Sequence, residues 1–253
     1  MHFSIAWLVV CLLDYSTVKS YKRILLKLSG EQLSGEFDGG IDPKLASWIA
    51  GEAKTLTDAG FELVIMVGGG NFVRGAQIAG HGILRVTADH MGMLGTLMNA
   101  LALTDIFENH DVKTRCLSNI FAEQVAEPFV HRLAFKHLEN GRVVIVAGGI
   151  GRPYLTTDTA AVSLSLELDC DVVLKATKVD GVYDVDPAIN SKAKKIAKLS
   201  YQQAVEDGAI KVMDKAAMGL AMEHEMPIVI FDAMKSGNIL KAAKGENIGT
   251  TIA

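Results

Sequence analysis

Cysteine is scarce in this chain of 253 residues. Cys11, Cys116 and Cys170 are odd in number, lie far apart and form no C-x-x-C pair. This pattern argues against a disulfide or zinc framework and indicates free thiols in a reducing compartment. We therefore expect a cytoplasmic protein with no metal site built from its own side chains.

An excess of charge of one sign is also absent. The 25 basic and 29 acidic residues give a net charge of −4 and a pI near 6.0. Such a balance creates no global field that would attract nucleic acid or an anionic membrane. We therefore predict neither as a partner, and any anionic ligand must be bound by local groups.

A long hydrophobic run is missing as well. The apolar stretch 5–13 is too short to span a bilayer as a helix, which needs about 20 residues. It also lacks the basic residues and the small-x-small cleavage site of a secretory signal. We interpret residues 1–20 as a non-catalytic extension, disordered or the product of a misassigned start codon, before a single domain over residues 21–253.

The common nucleotide-binding signatures are absent too. There is no G-x-x-x-x-G-K-[ST] loop, no G-x-G-x-x-G that opens a helix, and no protein-kinase signature. Instead, loops rich in glycine or threonine follow apolar runs at residues 27–30, 67–71, 148–158 and 175–183. Their backbone N–H groups can approach an oxyanion closely, and Lys27 adds a fixed positive charge. Together the four loops predict a phosphate site.

The remaining pattern alternates between strand and helix. Short apolar runs of the kind buried in a parallel sheet cover residues 23–28, 62–67, 112–117, 142–147, 171–175 and 227–231. Helical patterns lie between them at residues 42–59, 85–109, 157–168 and 200–206. Asp42 and Pro43 begin the first helix, and Thr157 and Asp158 are expected to cap the third. The alternation predicts an α/β fold: an open, doubly wound, mainly parallel sheet flanked by helices, with all four loops at the carboxyl ends of strands.

Several of these segments resemble one known family, the amino acid kinase superfamily, over about residues 21–253. The resemblance is carried by Lys27-Leu28-Ser29-Gly30, by the stretch 68–75 (GGGNFVRG), by Asp89-His90-Met91-Gly92-Met93, by Thr156-Thr157-Asp158 and by the stretch 175–183 (KATKVDGVY). Within the superfamily, residues 89–93 and 211–214 resemble uridylate kinases rather than the acetylglutamate, glutamate, aspartate or carbamate kinases.

The resemblance implies an amino acid kinase-like fold with a UMP-binding N-terminal part and an ATP-binding C-terminal part. The implied reaction is ATP + UMP = ADP + UDP, in de novo pyrimidine nucleotide biosynthesis. The acceptor in this reaction is a phosphate whose second pKa is about 6, so it is already an oxyanion at neutral pH. The site then needs cations and amides to position two polyanions, and it needs no catalytic base.

The resemblance also implies a role for each matching residue. The catalytic residues would be Lys27, Arg74 and Asp158. ATP would be bound by Lys27, Leu28, Ser29, Gly30, Gly70, Arg74, Thr177, Tyr183 and Asp186. UMP would be bound by Gly69, Asp89, Ile150, Gly151, Arg152, Pro153, Tyr154, Leu155, Thr156 and Thr157. Mg²⁺ would be bound through the ATP phosphates, since no carboxylate cluster forms a cage for it.

One segment departs from the family pattern, which has Gly-Thr-Gly-Asn-Pro where this chain has Gly149-Ile150-Gly151-Arg152-Pro153. Ile150 cannot donate a side-chain hydrogen bond. Recognition of the base would then depend on main-chain groups or on Arg152, which leaves the preference for UMP over CMP or dUMP open.

The resemblance further implies a homohexamer that GTP activates and UTP inhibits, and it ties residues 35–40 to the effector response. Two alternatives remain. Another amino acid kinase would have different acceptor loops, and the run 89–93 argues against it. A non-catalytic nucleotide-binding storage or sensor protein would share the fold, and the presence of Lys27, Arg74 and Thr157 argues against that.

Overall fold

The computed structural model describes residues 21–35, 39–80, 82–185, 189–190, 192–206 and 213–253. The predicted extension over residues 1–20 and the candidate ATP ligand Asp186 lie outside the described residues, as do residues 36–38 of the predicted effector segment. In the described part of the chain, no helix has both the length and the apolar character needed to cross a membrane.

One large sheet forms the centre of the protein. The described residues contribute these strands to it: β1 (Arg23–Leu28), β2 (Glu62–Val67), β3 (Thr114–Ser118), β4 (Glu127–Pro128), β5 (Val143–Ala147), β6 (Val172–Thr177), β9 (Lys198–Leu199), β10 (Ile228–Asp232) and β11 (Thr250–Ile252). A separate antiparallel hairpin joins β7 (Val182–Tyr183) and β8 (Lys195–Ile196). The order of these described strands in the large sheet is β4-β3-β5-β2-β1-β6-β10-β11-β9, and among them only the β10–β11 pairing is antiparallel.

Helices cover both faces of this sheet. The described helices are α1 (Pro43–Asp58), α2 (Gly75–Ile78), α3 (Arg85–Glu108), α4 (His131–Glu139), α5 (Thr157–Glu167), α6 (Tyr201–Glu206), α7 (Lys215–Glu223) and α8 (Asn238–Ala243). One apolar core joins α1, α3 and α8 to one face, and a second joins α4, α5 and α7 to the other. Ile24, Leu26 and Leu28 of β1 belong to the first core and Leu25 to the second, so the strand contributes apolar side chains to both faces of the sheet. The predicted doubly wound α/β fold is confirmed.

The first predicted helix begins where its sequence indicates. Asp42 is the N-cap of α1, and its carboxylate accepts a hydrogen bond from Lys44 N at 2.9 Å, with Pro43 at the first helical position. The prediction for α5 was wrong by one residue. Thr156, rather than Thr157 or Asp158, is its N-cap, because Thr156 Oγ1 accepts from Asp158 N at 3.0 Å. Asp158 therefore lies in the first helical turn.

The chain order places the four loops together. After β1 the chain builds β2, β3 and β5 on one side, and it then crosses to β6 on the other side of β1. Such a reversal leaves a crevice at the carboxyl ends of the strands, where ligands bind in open α/β sheets. The loops follow β1, β2, β5 and β6, which are neighbours in the sheet, so their predicted clustering at one edge is confirmed.

Two glycines test how the helices and the sheet are packed. A Cβ on Gly51 of α1 would meet no atom within 4 Å, whereas a Cβ on Gly249 would lie 2.0 Å from the carbonyl oxygen of Ile230. We expect Gly51→Ala to raise the free energy of unfolding by about 1 kcal/mol through helix propensity. Gly249→Ala should lower it by about 1–3 kcal/mol through overpacking. Urea unfolding measures both, and changes of the same sign would contradict this packing.

Candidate active site

The first two glycine loops are in direct backbone contact. A Cβ on Gly30 would lie 2.5 Å from Asn71 Oδ1 and 2.7 Å from Gly70 N, and a Cβ on Gly69 would lie 2.5 Å from the carbonyl oxygen of Gly92. Neither glycine has a positive φ, so the backbone conformation does not require glycine at these positions. Glycine is needed because a side chain would collide with the neighbouring loop or helix. The loop after β2 is therefore packed between the loop after β1 and helix α3.

The other predicted residues of the loop after β1 lie around this contact. Leu28 is the buried last residue of β1, so its side chain belongs to the core. Ser29 precedes the 3-10 turn Gly30–Gln32, and its N–H donates to Gln32 Oε1 at 2.8 Å. Any contact of Leu28 with a ligand would be made by its backbone.

Two largely buried lysines lie side by side at the carboxyl edge of the sheet. Lys27 and Lys175 are register partners on the neighbouring parallel strands β1 and β6. The carboxylate of Asp158, from the first turn of α5, lies between them: Lys27 Nζ is 2.8 Å from Oδ1, and Lys175 Nζ donates to Oδ2 at 2.8 Å. The Lys27 contact is an ion pair. We call these three residues the lysine triad.

A cavity of 520 Å³ opens beside the triad, within the size range of small-molecule sites. Seven predicted residues are among those that line it: Gly69, Arg74, Asp89, Ile150, Leu155, Thr156 and Thr157. Gly70, Gly151, Arg152, Pro153 and Tyr154 lie in the same loops but not in the described wall of the cavity. The cavity thus joins the loops after β2 and β5 to the start of α3.

Asp89 is held by Arg85, which the sequence pattern did not single out, and by Tyr154 of the predicted UMP-binding loop. Arg85 Nε lies 2.8 and 2.9 Å from the two carboxylate oxygens of Asp89, and Tyr154 N donates to Oδ2 at 2.8 Å. Tyr154 has a φ of 66°, and its ring centroid is 5.3 Å from the Arg85 guanidinium. The spacing of four residues between Arg85 and Asp89 on a predicted helix was the available signal for this ion pair. Asp89 and Tyr154 together connect α3 to the loop after β5.

Arg74 and Glu31 form a second contact between loops. Arg74 lies immediately before α2, and its guanidinium forms an ion pair with the carboxylate of Glu31 in the loop after β1. Both side chains are about half exposed and both line the cavity. Glu31 was not predicted, because the ion pair joins residues of two different loops.

The loop after β6 carries the remaining predicted residues. Thr177 Oγ1 lies within donating distance of two carbonyl oxygens, those of Val179 at 2.6 Å and Phe231 at 2.9 Å. Tyr183 lies in the β7–β8 hairpin, where its hydroxyl donates to Asp180 Oδ1 at 2.7 Å. This hydrogen bond raises the pKa of Tyr183 above its ordinary value and lowers that of Asp180.

A family model described as the amino acid kinase family matches residues 22–232 of this sequence. The chain belongs to the amino acid kinase family. Its fold is also similar to that of three solved structures.

UMP kinase from Bacillus anthracis has 38% sequence identity and a TM-score of 0.89, over 92% of this chain and 96% of that chain. UMP kinase from Ureaplasma parvum has 30% identity and a TM-score of 0.86, over 92% and 98%. Uridylate kinase from Archaeoglobus fulgidus has 26% identity and a TM-score of 0.71, over 91% and 99%. The resemblance to uridylate kinases that residues 89–93 and 211–214 indicate is confirmed.

The charges of the triad oppose one another in this amino acid kinase. Burial by itself would raise the pKa of Asp158, but the two ammonium groups outweigh it and hold that pKa below its ordinary value. Burial lowers the pKa of Lys175, Asp158 opposes this change, and Lys27 adds to it. Asp158 is therefore ionised at neutral pH.

Asp214 joins the starts of two helices next to the triad. It is the N-cap of α7, where its carboxylate accepts from Ala217 N at 2.9 Å. The same carboxylate accepts from the hydroxyl groups of Thr156 and Thr159, the latter at 2.9 Å from both oxygens. The position of Thr156 at the cavity wall thus depends on α7 as well as on α5. Thr159 was not predicted, because it lies one residue beyond the Thr156-Thr157-Asp158 motif.

The described residues contain no cluster of three or more His, Cys, Asp or Glu side chains that could hold a metal ion. The amino acid kinase site therefore offers cations, hydroxyls and amides in the described part, and Asp158 is engaged by lysines.

The triad makes stability depend on pH. Because the pKa of Asp158 is lowered in the folded state, its contribution is complete above its unfolded-state pKa of about 3.9 and is lost as the pH falls through the folded-state value. We expect Asp158→Asn to lower the free energy of unfolding by about 3 kcal/mol at pH 7. The difference in free energy of unfolding between this variant and the unmodified chain should become smaller below about pH 4.

Asp58→Asn is the matched control, since Asp58 forms an exposed pair with Lys54 on α1. It should change the free energy of unfolding by less than about 0.5 kcal/mol both at pH 7 and below about pH 4. Denaturant unfolding at a series of pH values measures both variants. An Asp158→Asn effect of constant size down to pH 3 would contradict the coupling.

Proposed function

We propose that this chain is a uridylate kinase that transfers the γ-phosphoryl group of ATP to UMP, giving UDP in de novo pyrimidine nucleotide biosynthesis. One observation carries the proposal. The cavity wall ends in Thr156 and Thr157, and the next residue, Asp158, holds Lys27 and Lys175 at the edge of the sheet. A nucleotide in the cavity can therefore present its phosphate to two cations. The similarity in fold and sequence to UMP kinase from Bacillus anthracis supports UMP as that nucleotide.

The chemistry requires positioning rather than proton removal. The UMP phosphate has a second pKa of about 6 and is the nucleophile as it arrives. Lys27 and Lys175 neutralise charge on the phosphoryl group during transfer, and Arg74 adds a third cation from the opposite loop. The free N–H groups at the start of α5 add the positive end of an 11-residue helix beside Thr157. Asp158 keeps the two lysines together without itself accepting a proton.

The UMP nucleoside occupies the rest of the cavity. Asp89 accepts a hydrogen bond from the ribose, whose hydroxyl groups are donors that a carboxylate suits. A carboxylate has about four acceptor positions, so the contacts with Arg85 and Tyr154 leave one for the ribose. Gly69 lies against the UMP phosphate, and the loop 150–155, with Ile150, Gly151, Arg152, Pro153, Tyr154 and Leu155, surrounds the uracil ring.

ATP binds on the β6 side of the triad. Lys27, Leu28, Ser29, Gly30, Gly70 and Arg74 contact its phosphates, while Thr177, Tyr183 and Asp186 contact its nucleoside. Mg²⁺ enters with ATP, since the described residues offer no carboxylate cluster that fits it. When bound, the metal ion neutralises phosphate charge.

We extend the proposal to assembly and regulation. Leu94 and Met98 are spaced by four residues on α3, and their side chains are 52% and 44% exposed. This apolar stripe supports subunit contact in a homohexamer. Activation by GTP, inhibition by UTP and a cytoplasmic location complete the proposal, supported by the family resemblance and by the reduced state expected of the cysteines.

The first test is production of UDP from UMP and Mg-ATP by the purified protein. Lys27→Met should lower kcat by about 10²–10³-fold, because it removes a preorganised cation from the transferring phosphoryl group. Lys22→Met is the control: Lys22 is 78% exposed next to the same strand and should leave kcat unchanged. Nucleotide binding without UDP formation by the unmodified chain would support a storage or sensor protein instead.

The second test concerns the acceptor. Because a hydrogen bond to a charged group contributes about 1.5–3 kcal/mol, contact of Asp89 with the 2′-hydroxyl predicts that kcat/KM for UMP exceeds that for dUMP by about 10–100-fold. If Arg152 contributes to base recognition, Arg152→Ala should reduce the ratio of kcat/KM for UMP to kcat/KM for CMP. The corresponding ratio for UMP and dUMP should stay unchanged. Steady-state assays with UMP, CMP and dUMP measure both ratios. Equal rates with all three nucleotides would contradict the proposed specificity.

A further inference from the structure

Two asparagine side chains form a reciprocal amide pair beneath the glycine loops. Asn99, on α3, is completely buried, and Asn71 directly follows Gly70 in the loop after β2. Asn99 Nδ2 donates to Asn71 Oδ1 at 2.8 Å, and Asn71 Nδ2 donates to Asn99 Oδ1 at 2.9 Å. Each amide is therefore both donor and acceptor to the other.

The second N–H of each amide holds a backbone carbonyl. Asn99 Nδ2 donates to the carbonyl oxygen of Gly68 at 2.7 Å, and Asn71 Nδ2 donates to that of Gly40 at 2.6 Å. The backbone N–H of Gly40 donates in return to the carbonyl oxygen of Asn71 at 3.2 Å. Reversing either amide would bring its oxygen against a carbonyl oxygen, so the network permits one orientation.

The asparagine pair connects the loop after β2 to α3, a long helix that packs beside it. Helix α3 has 24 residues, and through Asn99 it holds the carbonyl of Gly68, the residue that follows β2. The Asn71 side chain also lies against the loop after β1, since its Oδ1 would be 2.5 Å from a Cβ on Gly30. The distance between the two glycine loops is therefore set through contacts of buried side chains.

We propose that Asn99 is a positioning residue for phosphoryl transfer: through Asn71 it fixes the Gly68–Gly70 loop relative to the Lys27–Gly30 loop. The catalytic consequence rests on the proposed function, in which the two loops hold the two reacting phosphates. The contact itself does not rest on that function. Asn99 acts without touching a substrate, because its side chain is enclosed by α3, Asn71 and Gly68.

Asn99→Leu tests this role, since leucine has a similar volume and no hydrogen-bonding group. We expect kcat to fall by about 100-fold, because a displacement of about 1 Å costs this much when reacting groups must be aligned. KM for UMP and for Mg-ATP should change by less than about threefold, since the groups that contact each nucleotide remain. If Asn99→Leu does not fold, Asn71→Ala, at a less buried position, serves instead. It should likewise lower kcat and leave both KM values nearly unchanged.

Leu103→Ala is the matched control, because Leu103 is fully buried one turn further along α3 and belongs to the apolar core. It should lower Tm as much as Asn99→Leu, by creating a cavity, and leave kcat unchanged. Amide hydrogen exchange supplies a readout that does not depend on activity. In Asn99→Leu, exchange should accelerate by at least about tenfold at residues 68–72 and 39–42, and in Leu103→Ala it should not.

The outcomes separate the two proposals. If the unmodified chain does not phosphorylate UMP, the proposed function fails, and local exchange in Asn99→Leu still decides whether Asn99 holds the loops. If Asn99→Leu has the kcat of Leu103→Ala and unchanged exchange at residues 68–72, the positioning role is overturned. Loss of kcat together with faster local exchange supports it.

Discussion

Two ammonium groups share one buried carboxylate at the edge of the central sheet, and the arrangement around them depends on that shared charge. Parallel pairing in register puts Lys27 of β1 beside Lys175 of β6, where two cations would repel each other. Asp158 relieves this repulsion because it lies in the first turn of α5, which Thr156 caps, and its carboxylate lies between the two ammonium groups. The start of α5 is in turn held by Asp214 at the start of α7. The sheet and two helices therefore meet at the triad.

The same arrangement suits a reaction that needs no general base. Lys27 and Lys175 share the carboxylate of Asp158, and Arg74 lies at the cavity in an ion pair with Glu31. Such cations suit a reaction whose nucleophile arrives ionised. Alignment of two phosphates is then the main requirement, and the structure meets it with contacts that leave little freedom. The glycine loops touch backbone to backbone, and the Asn71–Asn99 pair ties them to α3. Asp89 and Tyr154 similarly tie the loop after β5 to the beginning of α3.

Most of the fold could be predicted from the sequence where strands are buried on both faces. Residues 23–28 and 62–67 coincide with β1 and β2, because short and mainly apolar runs of this length are typical of strands in a sheet that helices cover on both faces. The short strands β4, β7, β8, β9 and β11 were missed, because two or three residues show no periodicity. Helices α4, α7 and α8 were also missed, because each has only six to nine residues and α7 and α8 are rich in small apolar side chains.

The sequence by itself determined the class of chemistry and the family. Its local motifs of glycine, threonine and lysine supply backbone N–H groups, hydroxyl groups and positive charge, which bind phosphate wherever a fold brings them together. Only the tertiary structure decided which side chains became partners. Lys27 meets Lys175 and Asp158, Arg85 meets the loop of Tyr154, and Asn99 meets Gly68, across separations that no local period encodes. These pairings depend on strand order, register and helix packing, which are settled when the whole chain folds.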